Sequence, residues 1–230
     1  MGKIILIETA TSLCSAALCE DDKILAYKES SEPKAHASLT AVFIDQILEE
    51  QKISIADCDA VCVGMGPGSY TGLRVGVSTA KGLCFGASKP LLAVGTLEIL
   101  AAQAIIEDII PDGCKYIVPM IDARRMEAYS AVFSASGEQL TDTQPVIITE
   151  DSFSKELAEG PVLFIGDAAE KCSTMLKSPN AYFHQCWPKA SSMATAAIRE
   201  YKEKRFKDVA YFEPFYLKDF VATTSKKKLF

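Results

Sequence analysis

The sequence predicts an α/β fold of two related halves, each a mixed sheet flanked by helices. Three observations carry this expectation. Short apolar, β-rich runs alternate with longer helical patterns; three strands precede the first helix; and a segment starting near Tyr116 restarts with a similar order of elements. No residue-level repeat accompanies the repeated order.

Ile4 to Ile7 is a continuous branched apolar run, the mark of a strand covered on both faces. Ser15 to Glu20 and Lys23 to Lys28 read as two further strands joined by the acidic turn at Asp21 and Asp22. A helix follows Pro33, from about His36 to Lys52, and Ala60 to Val63 is a short buried strand. That strand runs into Gly64-Met65-Gly66-Pro67-Gly68, after which a second helix spans about Thr71 to Phe85. A strand at Leu91 to Val94 and a helix from about Thr96 to Glu107 follow, with Thr96 placed to cap its first turn. Pro111 and Gly113 mark a boundary in Asp108 to Cys114, dividing the chain into residues 1–108 and 109–230. Beyond it come strands at Tyr116 to Ile121 and Glu127 to Phe133, then a helix near Glu150 to Ala158. A strand at Val162 to Ile165, a helix near Ala168 to Lys177 and a final helix over about Ser191 to Phe206 complete the second half.

Bulk composition narrows the function. A net charge of −6 on 230 residues argues against a chain that grips nucleic acid by itself, because such binding rests on clustered Lys and Arg. The one dense basic run, Lys226 to Lys228, reads as a solvated tail. None of the eight cysteines forms a C-x-x-C pair, and most lie in apolar stretches, as reduced core thiols do. His36 and His184 are the only histidines and stand far apart, so a local zinc site lacks ligands. The N-terminus lacks a signal-peptide pattern and no apolar run is long enough for a bilayer, giving the expectation of a soluble, cytoplasmic chain.

Three segments could carry chemistry. Glu8, at the end of a buried strand and followed by Thr9, Thr11 and Ser12, could hold a metal facing a phosphate; equally, the hydroxyls could satisfy turn amides. The glycine segment lacks the Gly-Lys-Ser/Thr ending of a Walker A loop and the third glycine of G-x-G-x-x-G, so its pattern is weak evidence for phosphate. The helix after it carries Gly72, Gly76, Gly82 and Gly86, with Ala80 extending the first two at steps of four. Interior glycines cost a helix about 1 kcal/mol each, so a close neighbour is expected, from this chain or from a partner. On the preceding helix, Leu39, Val42, Phe43, Ile44, Ile47 and Leu48 spread wider than a simple surface stripe, which favours a partner, although packing within the chain would also explain it. Asp122-Ala123-Arg124-Arg125, at the second hairpin, could clamp a phosphate or a carboxylate, or could be a capped turn with local pairing.

ILIETATSLCSAAL, a lone His on the first helix, GMGPGSYTGLRVGVSTAKGL and IDARRMEAY together resemble the TsaB (YeaZ) family, and GTLEILA and PFYLK add to the likeness. The resemblance implies an actin-like, sugar-kinase-like (ASKHA) fold of two ribonuclease-H-like halves, the last helix and tail packing back on the first. It implies a non-catalytic subunit that pairs with a TsaD-like catalytic paralogue and a TsaE-like ATPase to form N6-threonylcarbamoyladenosine at position 37 of tRNAs reading codons that begin with A. Pairing would use His36, Leu39, Val42 and Phe43 on the first helix with Thr71, Gly72, Arg74, Val75, Gly76, Thr79, Ala80 and Leu83 on the second. A homodimer is expected without the partner, and tRNA is met through the complex. Glu8, Thr9, Thr11, Asp122, Arg124 and Gly166 would be the vestige of a nucleotide or phosphate site. The catalytic paralogue's metal site uses two histidines on one helix, and His36 has no such neighbour, so neither catalytic residues nor metal ligands are expected here. ATP and metal would belong to the partner subunits. The alternatives are a stand-alone phosphotransferase or ATPase using Glu8, Thr9 and Arg124, and an M22-type glycoprotease-like peptidase, for which the ligand set is wrong.

Overall fold

The computed structural model describes residues 2–218, so the Lys226 to Lys228 run lies outside the described residues. The first sheet is built from β1 (Lys3–Glu8), β2 (Cys14–Glu20), β3 (Lys23–Ser30), β4 (Ala60–Gly64) and β5 (Leu91–Val94), in the order β3-β2-β1-β4-β5. The first three strands form an antiparallel meander, while β1–β4 and β4–β5 are parallel. The second sheet contains β6 (Tyr116–Asp122), β7 (Glu127–Ser130), β8 (Phe133–Ser134), β9 (Gln144–Ile147), β10 (Val162–Gly166) and β11 (Ala181–Gln185). Its order, β11-β10-β6-β7-β9 with β8 on β6, repeats the first sheet: a central strand, an antiparallel pair on one side and two parallel strands on the other. The sheets are those of an actin-like, sugar-kinase-like fold.

Helices α1 (His36–Gln51) and α2 (Tyr70–Ala87) cover one face of the first sheet, and Phe43, Ile44, Ile47, Val77 and Ala80 fill the space beneath them. On the other face, Ala190, Met193, Ala194, Ala197 and Ile198 pack against Ile4, Leu6, Leu92 and Val94. The last of these lie on α6 (Ala194–Lys202), so the final helix completes the core of the first sheet. Helix α3 (Thr96–Ile106) sits between the sheets: Ile99 joins the first core, and Leu97, Leu100 and Ala104 join the second. Helices α4 (Ser154–Ala158) and α5 (Ala169–Ser173) close the far face of the second sheet, Leu157 and Cys172 joining the core that holds Phe164 of β10.

Most predicted elements stand, with differences that have local causes. The expected strand Glu127 to Phe133 is broken after Ser130, where Val132 instead bonds to the Leu140–Thr141 segment. Strands β9 and β11 have weak patterns, since Gln144, Pro145, Tyr182 and Gln185 are exposed. The last helix begins as a 3-10 turn at Ala190–Met193 and stops at Lys202, with Lys204 in the left-handed region at φ 55°. Thr96 does not cap α3: Gly95 is its N-cap, and the Thr96 hydroxyl is buried without a partner. All eight cysteines are free, and seven are buried, where burial raises the thiol pKa and keeps them as apolar filler.

Candidate functional site

Glu8 ends β1 with no exposed surface, and the chain turns immediately. Its Oε1 accepts the Ala10 amide at 2.6 Å, whereas Oε2 has no partner. Burial pushes this carboxyl up to about 7, against the opposing pull of the Ala10 and Thr9 amides. Beside it, β4 delivers Gly64, Gly66 sits at φ +108°, and Gly66–Pro67 is cis. Ser69 then caps α2 by accepting the Gly72 amide at 3.3 Å, and its own amide bonds to Ala10 O at 2.6 Å.

The glycines make a slot for the chain's own turn. A Cβ at Gly64 would overlap the Glu8 carboxylate, and one at Gly68 would overlap Ala10 O. At Gly72 the clash would be with Thr9 O, and at Gly76 with Thr9 Oγ1. The stripe Gly72-Gly76-Ala80 is therefore filled from within, which corrects the expectation that a partner lies in it. Of the residues assigned to partner contact, Phe43, Gly72, Gly76 and Ala80 are buried in the chain itself. Leu39 and Leu48 pack against the same core, so only Val42, 44 % exposed, remains of the wide apolar face of α1. His36 is tied inward, its Nε2–H donating to Thr11 O at 2.8 Å.

The outer face of α2 is different. Thr71, Arg74, Ser78, Gly82, Phe85 and Gly86 are exposed, with Val75, Thr79 and Leu83 half-buried beside them. A Cβ added at Gly82 or Gly86 would meet nothing within 4 Å, and Phe85 is 83 % exposed. This second small-residue stripe was present in the sequence, but periodicity alone did not separate it from the buried one.

A C-terminal strap borders the same helix. Phe215 N donates to Met65 O at 2.8 Å, Lys81 Nζ donates to Ala210 O and Phe212 O, and the Tyr216 and Tyr70 rings lie 4.8 Å apart.

In the second half, Asp122 ends β6 and its amide donates to Asp167 Oδ1 at 2.8 Å. Asp122 Oδ1 takes Lys171 Nζ at 2.6 Å and the Arg124 amide at 2.7 Å. Burial pushes the Asp167 carboxyl up to about 6. Gly166, at φ +132°, is closed over: a Cβ there would overlap Met120 O and reach Leu100 Cδ1 at 3.0 Å. Thus Glu8, Thr9 and Thr11 gather at the strand ends of one sheet, and Asp122, Arg124 and Gly166 at those of the other. Among the described residues, no cluster of three His, Cys, Asp or Glu side chains forms a metal-ligand group.

A family model described as TsaD, tRNA N6-adenosine threonylcarbamoyltransferase, matches residues 24–227. The chain is 30 % identical to the tRNA threonylcarbamoyladenosine biosynthesis protein TsaB of Bacillus subtilis, over 71 % of this chain and 70 % of that one. It belongs to the TsaB (YeaZ) family. The Escherichia coli TsaB is 29 % identical over 96 % of both chains. A solved Pseudomonas aeruginosa protein with similarity to peptidase YEAZ superposes with a TM-score of 0.83, at 25 % identity over 95 % of this chain and all of that one. Component A of the Acidaminococcus fermentans (R)-2-hydroxyglutaryl-CoA dehydratase shares the fold, with a TM-score of 0.52 at 10 % identity over 89 % of this chain and 100 % of that one. Within the TsaB-family chain, no described helix is long and apolar enough to cross a membrane.

Proposed function

We propose that this chain is a non-catalytic subunit in the formation of N6-threonylcarbamoyladenosine at position 37 of tRNAs that read codons beginning with A. It docks on a TsaD-like catalytic paralogue in the cytoplasm, and a TsaE-like ATPase completes the assembly. The observation that carries docking is the open face of α2. Gly82 weakens the helix by about 1 kcal/mol and Gly86, in its last turn, by less, yet a Cβ at either would meet nothing within 4 Å, so no close neighbour in the chain requires them. With Ser78 they form a smooth track beside Phe85, Val75, Thr79 and Arg74, into which a second helix fits closely. On α1, Val42 offers one further exposed apolar side chain. Without the partner, the same face is self-complementary and supports a homodimer.

The filled slot supports the non-catalytic reading. The turn at Glu8 to Ala10 occupies the space inside the glycine loop, and Met120 and Leu100 close the Gly166 turn. ATP and metal are accordingly assigned to the partner subunits.

The test is reconstitution with TsaD and TsaE, with and without this chain, measuring modified adenosine. Modification that proceeds equally without this chain would defeat the proposal. Gly86→Leu should abolish co-purification with TsaD while the circular dichroism melt is no lower than that of the wild type; retained co-purification would remove α2 as the docking helix.

A further inference from the structure

The β6–β7 turn puts two arginines, Arg124 and Arg125, in the left-handed region at φ 69° and 49°. Side chains rarely adopt that conformation, and positions of this kind usually hold Gly, Asn or Asp. Backbone strain retained in a surface turn points to a use for the side chains.

Charge around the turn sharpens that use. Both carboxylates flanking it are taken by lysines from other parts of the chain. Lys171 of α5 pairs with Asp122, and Lys218 of the C-terminal strap pairs with Glu127 while lying over the Tyr129 ring. The Arg124 amide is held by Asp122 Oδ1, which fixes the turn without engaging the guanidinium. Among the described residues, neither guanidinium has an ion-pair or hydrogen-bond partner, and both residues are exposed. The acids that would have neutralised the arginines are already occupied.

We propose that Arg124 and Arg125 form a contact for the phosphate backbone of tRNA, made directly by this chain. The inference rests on the reading of the chain as a tRNA-modification subunit. A paired, exposed guanidinium turn at a hairpin tip suits successive phosphates of a polyanion. It suits a free nucleotide poorly, since small ligands need a concave site and both arginines are exposed at a hairpin tip. The contact positions the tRNA and carries no base specificity.

The test measures anisotropy of a labelled, unmodified tRNA transcript across KCl from about 20 to about 200 mM. It is run on the isolated chain and on its complex with the TsaD-like subunit. The double variant Arg124→Gly with Arg125→Gly relieves the backbone strain, so it should fold at least as stably as the wild type. It should nevertheless weaken tRNA binding about tenfold and lower the slope of log K against log salt by about two. The double lysine variant should keep most of that slope. Unchanged affinity and slope in the glycine variant would overturn the inference. So would loss of co-purification with unaltered tRNA binding, which would make the turn a protein contact, or displacement of wild-type tRNA by Mg-ATP. Should the wild-type chain not co-purify at all, the docking proposal fails alone; this one is then overturned if the isolated chain shows no salt-dependent tRNA binding that the glycine variant reduces.

Discussion

Thr9 Oγ1 occupies the place a side chain would take at Gly76. This one contact fixes which way α2 faces: its Gly72-Gly76-Ala80 side holds the β1–β2 turn, and its Ser78-Gly82-Gly86 side meets solvent.

The two sets of glycines should respond to alanine with opposite signs. Gly76→Ala forces Thr9 out of the slot and should cost about 1–3 kcal/mol, the usual penalty of overpacking. Gly82→Ala adds a methyl group in open space and should stabilise by up to about 1 kcal/mol. Urea unfolding of both variants checks this, and equal signs would contradict the assigned orientation of the helix.

Glu8 makes stability depend on pH. Its folded carboxyl titrates at about 7, while the unfolded one titrates near 4.5, so the native state holds the proton longer. As pH rises from about 4.5 to about 7, the unfolded chain is ionised first and stability falls, by up to about 3 kcal/mol from this group. Above about 7 both states are ionised and the loss is complete. Asp167, pushed up to about 6, slopes the same way at lower pH. Glu8→Gln should flatten the profile between pH about 5 and 7 in urea midpoints; a variant as steep as the wild type would remove Glu8 as the cause.

Gly166→Ala should be among the most damaging small substitutions in the second half. Its φ of +132° is reserved for glycine, and the added methyl would overlap Met120 O. A loss of about 2–4 kcal/mol is expected by thermal or urea unfolding. A loss under about 0.5 kcal/mol would mean that the turn relaxes freely.

Phe85→Asp should leave stability within about 0.5 kcal/mol, because the ring is 83 % exposed in the monomer. It should weaken co-purification with the TsaD-like partner at least tenfold, as loss of an aromatic anchor does. Unchanged pull-down would take Phe85 out of the docking face.

The candidate sites were only partly legible in the sequence. Glu8, Asp122 and Gly166 were readable as strand-end residues, because a run such as Ile4 to Ile7 announces where its strand stops. The partner of the glycine stripe was not readable. Gly72 and Gly82 carry the same local signal, and only the position of Thr9 tells the buried glycine from the open one. The pairing of Lys171 and Lys218 around the arginine turn spans 49 and 91 residues, beyond the reach of any local pattern.

What the sequence determined by itself was the alternation of strands and helices, the restart near Tyr116 and the core-forming runs. Each of these follows from local periodicity and apolar content. Tertiary structure alone decided that β9 and β11 exist and which face of α2 is free. Those outcomes depend on contacts between distant segments, where the cost of burying or exposing a face is set by whatever the fold brings against it.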